Sequence, residues 1–507
     1  MSGINAHIAD KHVLAQAIRS SHGLTIIGIL VPIIVMHYFG EKVFVSPLFA
    51  FASVVFVLLI VALCFNQKIA LYILTAGLIA FEEFELSNSY AYHQQGVSSS
   101  ILGMRIAGVS AIDAVTLLFL LFVVIRRIAD AQEYRTKFWS PSDMFFLPFV
   151  LAYGFGMVTG YFQRLTISHF TWELRDVFYI AAFYYITSRT FTHRKDIVVL
   201  LSVILGTFAL KSLFFIYRYL EGEGLFYGYG YYRVALGSDI PLIALAAIAC
   251  IVGFILSRGH SILLRVVLFI CIAYTSVLLV ASIGRSTYIL TVVSLVIVFI
   301  LLRKDIGIRH ILATIGMGFF GGFIFYFYVL TPENRELISY AISTAFNWYE
   351  AIQLYSDLSM GQRIIEFINI WETLSRNSAW LWGLGWGAPW TELVIHHPFD
   401  QGSFSWEEQY SGIHTTAHID AIYFLHKVGI IGTILIYATH VRFLVASIQS
   451  FSTDSSAMLK LVSICLIVMI VMFFPNYTYF VKLKLLLGIT FGAIAVFSGS
   501  IRKVTVA

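Results

Sequence analysis

Three residues in the C-terminal half of the chain combine side-chain type and position in a way that could do chemistry. His418 lies in HTTAHIDAIYFLHKVGIIG (414–432), at the start of an apolar run that includes Ile419, Ile422, Leu425 and Gly429. The positive end of a helix dipole disfavours protonation there. A neutral imidazole can act as a general base, help that is typically worth about 10² to 10⁴ in rate. A histidine that merely closes a helix end is the ordinary alternative. Arg363, in SMGQRIIEFINIWETLSRN (359–377), and Arg285, in ASIGRSTYIL (281–290), each fall in the first turn of an expected helix. A cation at that end costs about 0.3 to 1 kcal/mol unless an anion lies between the two positive charges. Arginine, with its planar fork, suits a phosphate at such a place. The competing readings are contact with lipid headgroups or Glu366 for Arg363, and snorkelling to the interface for Arg285.

Other residues join this set with weaker claims. Arg376, Arg233 and Arg164 are further cations on the same side, and Tyr229 in LFYGYGYYR (225–233) could stack on a sugar ring, although aromatic residues favour bilayer interfaces anyway. His414 and His418 are four apart, with His396 and His397 nearby, so zinc has to be weighed. No cysteine pattern or H-E-x-x-H supports it, and we expect no metal and no cofactor. His426, about two turns deeper, reads as a packing or hydrogen-bonding residue. WLWGLGWG (380–387) has glycines spaced as in nucleotide loops, but no strand precedes it, so a tight outer turn is the better reading. Asp113 and Lys211 are ionisable, at similar depth within apolar runs, and read as a pair between helices.

The elements that must hold these groups are membrane spans. Of 507 residues, 59% are hydrophobic and 12% charged, far fewer charges than the roughly 25% of a soluble domain. Apolar runs of near-spanning length recur about fourteen times. They begin near Leu24, Val43, Ile69, Ile106, Met144, Trp172, Ile197, Ser238, Ile262, Ser286, His310, Ile419, Leu459 and Thr478. The polar first 23 residues show no cleavage pattern, so no removable leader is expected, and the run from Leu24 to Tyr38 is short enough to be interfacial. The four cysteines fall singly within apolar runs, against a disulfide frame.

Basic residues gather in alternate loops: Arg126, Arg127, Arg135 and Lys137; Arg189, Arg194 and Lys195; Arg258 and Arg265; Arg303, Lys304 and Arg309; Arg502 and Lys503. The positive-inside rule makes these loops, and both termini, cytoplasmic. The chain thus divides into spans over 1–330, a long outer loop over 331–418 and final spans over 419–507, forming one membrane-embedded unit. A loop of that length that is neither low in complexity nor charge-rich is a working part. Within it, Ile364, Phe367, Ile368, Trp371 and Leu374 recur at helical spacing, with Arg363, Glu366, Thr373 and Arg376 largely off the stripe. This is an amphipathic helix, starting near Ser359 and lying on the membrane or the bundle.

Together SIGRSTYI, GQRIIEFINIW, GLGWG and HIDAIYFLHKVGIIG resemble the C-terminal signature of the bacterial O-antigen ligase and O-antigen polymerase family, over roughly Ala281 to Leu435. His418 ahead of Gly429 and Gly432 is the most specific part. One departure is Ile419 and Asp420, where members commonly have Asn after the histidine. The resemblance implies a polytopic all-α fold of the GT-C-like kind in the bacterial inner membrane, with a periplasmic active site. It also implies metal-independent transfer, with inversion, of a glycan from undecaprenyl pyrophosphate to a sugar hydroxyl of a lipid-linked acceptor. On that reading Arg285 and Arg363 hold the pyrophosphate, His418 is the base, and Arg376, Arg233, Arg164, His414 and Tyr229 are secondary contacts. The implied partners are the lipid-linked donor and acceptor, membrane lipids, a chain-length regulator and a flippase, and no nucleic acid. A polymerase is the leading expectation and a ligase acting on lipid A core its nearest rival. From a different class, a transporter or lipid flippase would place ionisable groups near the bilayer midplane on broken helices.

Overall fold

In the computed structural model, the described residues are 59–80, 105–106, 109–134, 142–163, 167–220, 225–227, 231–233, 239–257, 261–282, 285–303, 358–396, 411–414, 419–454, 456–474 and 481–505, with a few isolated positions between them. They form an all-α architecture with three short two-stranded ribbons. In chain order the elements are α1 (Gln67–Ala80), β1 (Arg105–Ile106), β2 (Val109–Ser110), α2 (Ala111–Tyr134), α3 (Asp143–Phe162), α4 (Ile167–Thr190) and α5 (Arg194–Leu220). Next come β3 (Leu225–Tyr227), β4 (Tyr231–Arg233), α6 (Ile240–Leu256), α7 (Ile262–Ala281) and α8 (Arg285–Leu302). The C-terminal part holds α9 (Leu358–Arg376), β5 (Trp390–Thr391), β6 (Ile413–His414), α10 (Asp420–Thr453), α11 (Ala457–Phe473) and α12 (Val481–Thr505).

Five stretches among the described residues are long and apolar enough to cross a membrane: 143–162, 194–213, 262–281, 420–453 and 481–499. Shorter apolar helices cover 67–80, 240–256, 286–302 and 457–473. The expected span starts near Leu24, Val43 and His310 lie outside the described residues, and the others each fall within a few residues of a helix start.

Among the described candidate spans α12 is the most enclosed, and glycine spacing explains how its neighbour approaches it. A methyl group on Gly488 would stand 2.6 Å from the Ile180 carbonyl, and one on Gly492 would stand 2.6 Å from Thr187 Cβ, both on α4. This Gly-x-x-x-Gly face lets two backbones meet where lipid offers no hydrophobic drive for association. Phe146, Phe443 and Phe491 pack around Tyr184 and one another, adding dispersion contacts beside the seam.

Ion pairs tie the helix ends together. At one end Asp143 of α3 holds Arg189 of α4, Lys68 of α1 lies 2.9 Å from Asp196 of α5, and Arg194 lies 2.6 Å from Asp454 after α10. At the opposite end Arg175 of α4 pairs with Asp113 of α2 at 2.5 Å, and the Tyr179 hydroxyl also donates to Asp113. The expected Asp113–Lys211 pair is therefore incorrect. Lys211 instead lies 2.8 Å from Asp239, ahead of α6, whose other oxygen is 2.9 Å from Lys482 of α12. Each carboxylate takes the cation that helix order puts next to it, and similar depth in the sequence does not specify which helices are neighbours. The long loop's tryptophan and glycine turn packs at this second end, against the C-terminal half of α3.

Candidate functional site

The site is assembled around a discontinuity in α10. Gly429 has φ 64° and ψ −172°, a conformation that essentially only glycine adopts, and it divides an otherwise continuous apolar helix. In an unbroken helix the amides of Ile430 and Ile431 would close on His426 and Lys427. Here they donate to the carbonyls of Trp380 and Leu381, at 2.8 and 3.3 Å. The carbonyls of His426 and Lys427 accept from the amides of Leu384 and Gly385, both at 2.8 Å. The expected outer turn, 380–387, is thus a plug that satisfies the helix break from both sides. An added methyl on Gly429 would lie 2.4 Å from Leu381 backbone atoms, so the glycine is required by contact as well as by conformation.

A second face of the turn meets α3. Gly385, at φ 88°, approaches so closely that a methyl would lie 2.1 Å from the Gly160 amide nitrogen. The Trp386 amide donates to the Gly156 carbonyl at 3.0 Å, and its indole N–H to the Tyr153 carbonyl at 3.1 Å, with the indole stacked on Tyr153. Beyond the turn a buried ion pair holds its exit. Lys427 Nζ lies 2.5 Å from Glu173 of α4 and donates to the Ala388 carbonyl at 2.6 Å, while the other Glu173 oxygen accepts from the Gly387 amide. Glu173, Lys427, Gly156 and Gly160 were not singled out from the sequence. Two signals could have found them: an ionisable residue deep in an apolar run, and Gly-x-x-x-Gly in an apolar segment.

Past the turn the chain forms the β5–β6 ribbon, with Trp390 opposite His414 and Thr391 opposite Ile413. His414 is buried, its Nε2 lies 2.8 Å from Glu392, and its ring stacks on Trp390. Exposed His396 meets the other Glu392 oxygen at 3.2 Å. Because His414 belongs to a strand and α10 begins only at Asp420, His414 and His418 do not share a helix face. The helical i, i+4 argument for a zinc site fails there. Asp420 opens α10 and is buried, as is His426.

Helix α9 carries Arg363 half-buried in its early turns, with no ion-pair partner among the described residues. Arg376, at the far end, is exposed and paired to Glu372 at 2.8 Å. The expected stripe divides in two. Leu374 is buried, whereas Phe367 and Trp371 are 42% and 51% exposed, and the buried side includes the polar Glu366, Asn369 and Thr373. Asn369 is buried for a reason: its amide oxygen accepts from Val394 at 2.8 Å and its NH₂ donates to Ile395 at 2.7 Å, so it holds the segment that leaves β5.

Arg285 is the first residue of α8, and Arg233 ends β4 opposite Leu225; no description covers either side chain. His418, Arg164, Tyr229 and His397 lie outside the described residues. No family model matches the sequence, and comparison with curated proteins gives no match either. What the structure brings together is a hydrogen-bonded junction at one end of the bundle, followed in the chain by β5, β6, His418 and the start of α10.

Proposed function

We propose that this chain is a membrane glycosyltransferase with a GT-C-like arrangement of about fourteen crossings, extending a polysaccharide on the periplasmic face of a bacterial inner membrane. Both termini are cytoplasmic in this reading. The donor is a glycan on undecaprenyl pyrophosphate, and the acceptor is a sugar hydroxyl of a lipid-linked oligosaccharide. The acceptor oxygen attacks the anomeric carbon, the carbon–oxygen bond to pyrophosphate breaks, and the electron pair leaves with the pyrophosphate. His418 takes the hydroxyl proton, and the anomeric centre inverts. Arg285 and Arg363 balance the charge that grows on the leaving group.

The observation that carries the reading is the junction at Gly429. It joins four sequence features that would otherwise be unrelated: the glycine turn, the arginine-bearing α9, the ribbon before His418, and the His-to-Gly-x-x-Gly element. A base is positioned best next to ordered backbone, and here the β5–β6 ribbon precedes His418 and the start of α10 follows it in the chain. Half-buried Arg363, with no described anion beside it, suits a phosphate contact.

The same break favours a second reading, because transporters bind ions at discontinuous helices. In those proteins the freed backbone groups face the substrate. Here the turn's own peptide groups occupy them, which counts against transport.

The test is lengthening of a synthetic undecaprenyl-pyrophosphate oligosaccharide by purified protein in detergent, without any ion gradient. The expected result is a longer product from wild type, unaffected by chelator, and a fall of about 10² or more with His418→Ala. Unchanged product length with His418→Ala would remove the base assignment. Transfer only to added lipid A core would favour the ligase, and substrate movement without a new glycosidic bond would favour a transporter.

A further inference from the structure

Helix α9 carries an apolar patch on its open side. Its protein side holds Ile365, Ile370 and Leu374 together with Glu366 and Asn369, 1% and 0% exposed, and its open side presents Phe367 and Trp371. A helix that met only water on its outer side would not need two large rings there. Its outer rings are not isolated. Phe367 lies 5.7 Å from Trp371 between ring centres, and Trp371 lies 4.2 Å from Trp380. Leu381 and Trp382 continue the open apolar surface, and Trp382 lies 5.1 Å from Phe155 of the span α3. The surface then passes onto Ile430 and Ile434 of α10, both exposed within a spanning helix. Whatever covers those span residues also covers α9.

We infer that α9 is a leaflet-embedded helix, docked to the bundle by the face that carries Ile370, Leu374 and Asn369 and covered on Phe367 and Trp371 by lipid hydrocarbon. The occupant follows from continuity with the sides of two candidate spans, and from aromatic rings being suited to the region where hydrocarbon meets headgroup. Exposed Arg376, paired with Glu372, lies off the apolar side, where a charged pair can stay at headgroup level. The inference does not depend on the catalytic reading. It assigns α9 a mechanical role: through Asn369 the helix ties the segment after β5 to the membrane surface.

The experiment uses full-length protein in phosphatidylcholine nanodiscs, with the four native cysteines replaced by alanine. Single cysteines at 367, 371 and 376 carry a nitroxide. The expected result is relaxation by oxygen greater than by a water-soluble nickel chelate at 367 and 371, with the opposite order at 376. Greater relaxation by the nickel chelate at 367 and 371 would mean that water covers this face. Protection from both would mean that protein covers it. Either outcome overturns the proposal. A label-free measurement guards against disturbance by the nitroxide: brominated lipid should quench wild-type fluorescence more strongly than that of the Trp371→Phe, Trp382→Phe double variant. Equal fractional quenching in the two proteins would also overturn the proposal.

Discussion

Two regions of this molecule use the same pair of devices, a Gly-x-x-x-Gly face and a buried lysine, for different ends. On α12, Gly488 and Gly492 meet the regular helix α4, and Lys482 lies close by on Asp239. On α3, Gly156 and Gly160 meet an irregular turn, and Lys427 holds that turn's exit through Glu173 and the Ala388 carbonyl. The motif therefore specifies close backbone approach and leaves the partner open. Where the partner is a helix, its own backbone bonds are already closed. Where it is a turn, unpaired amides and carbonyls would be costly in an apolar setting. The break at Gly429 supplies their complements, which is why a glycine pair, a turn and a broken helix occur together.

The comparison is broken most severely by filling the turn's contact. Gly385→Ala adds strain at φ 88°, about 1–3 kcal/mol, and a clash with α3 backbone of about 1–3 kcal/mol more. Gly488→Ala carries only the second cost, because its backbone is helical. Thermal unfolding in mild detergent should place Gly385→Ala below Gly488→Ala. Equal midpoints would mean that the turn yields as readily as a helix does.

Charge removal sharpens the same contrast. Lys427→Met leaves Glu173 buried without its ammonium, a loss of about 3–5 kcal/mol. Lys482→Met leaves Asp239 still paired to Lys211 and should cost distinctly less. Adding Glu173→Gln to Lys427→Met should restore at least half the lost stability, because glutamine can still accept from the Gly387 amide. A double variant no better than the single one would show that packing, rather than an uncompensated charge, sets the loss.

What could be read beforehand follows the same division. Apolar runs gave helices such as α3, α7 and α12, and the periodicity after Ser359 gave α9 within about a residue at each end. These are local properties, set by spacing along a few turns. The break at Gly429 left no such trace, because Val428, Ile430 and Ile431 continue the apolar run on both sides. Its cause is a turn more than forty residues earlier, and nothing in the composition of either segment names the other. The pairing of Asp113 failed for the same reason, since helix adjacency is written in neither segment, and Asp113 lies in the first turn of α2 rather than deep within it. In α9 the period was right, but Asn369 belongs inside because its partner is polar backbone at 394–395.

The smallest effect is expected where both partners are wet. Arg376 and Glu372 lie one helical turn apart, with side chains 56% and 34% exposed, and no glycine contact or helix break depends on them. Such i, i+4 pairs are worth about 0.3–0.5 kcal/mol and weaken as salt rises. Arg376→Ala should therefore shift the unfolding midpoint by about a degree or less at low salt, and by nothing measurable in high salt. A large shift that persists in salt would show that Arg376 holds something other than Glu372. That partner would be a ligand or a lipid phosphate, and the last turn of α9 would then be anchored from outside the protein as well as by its buried face.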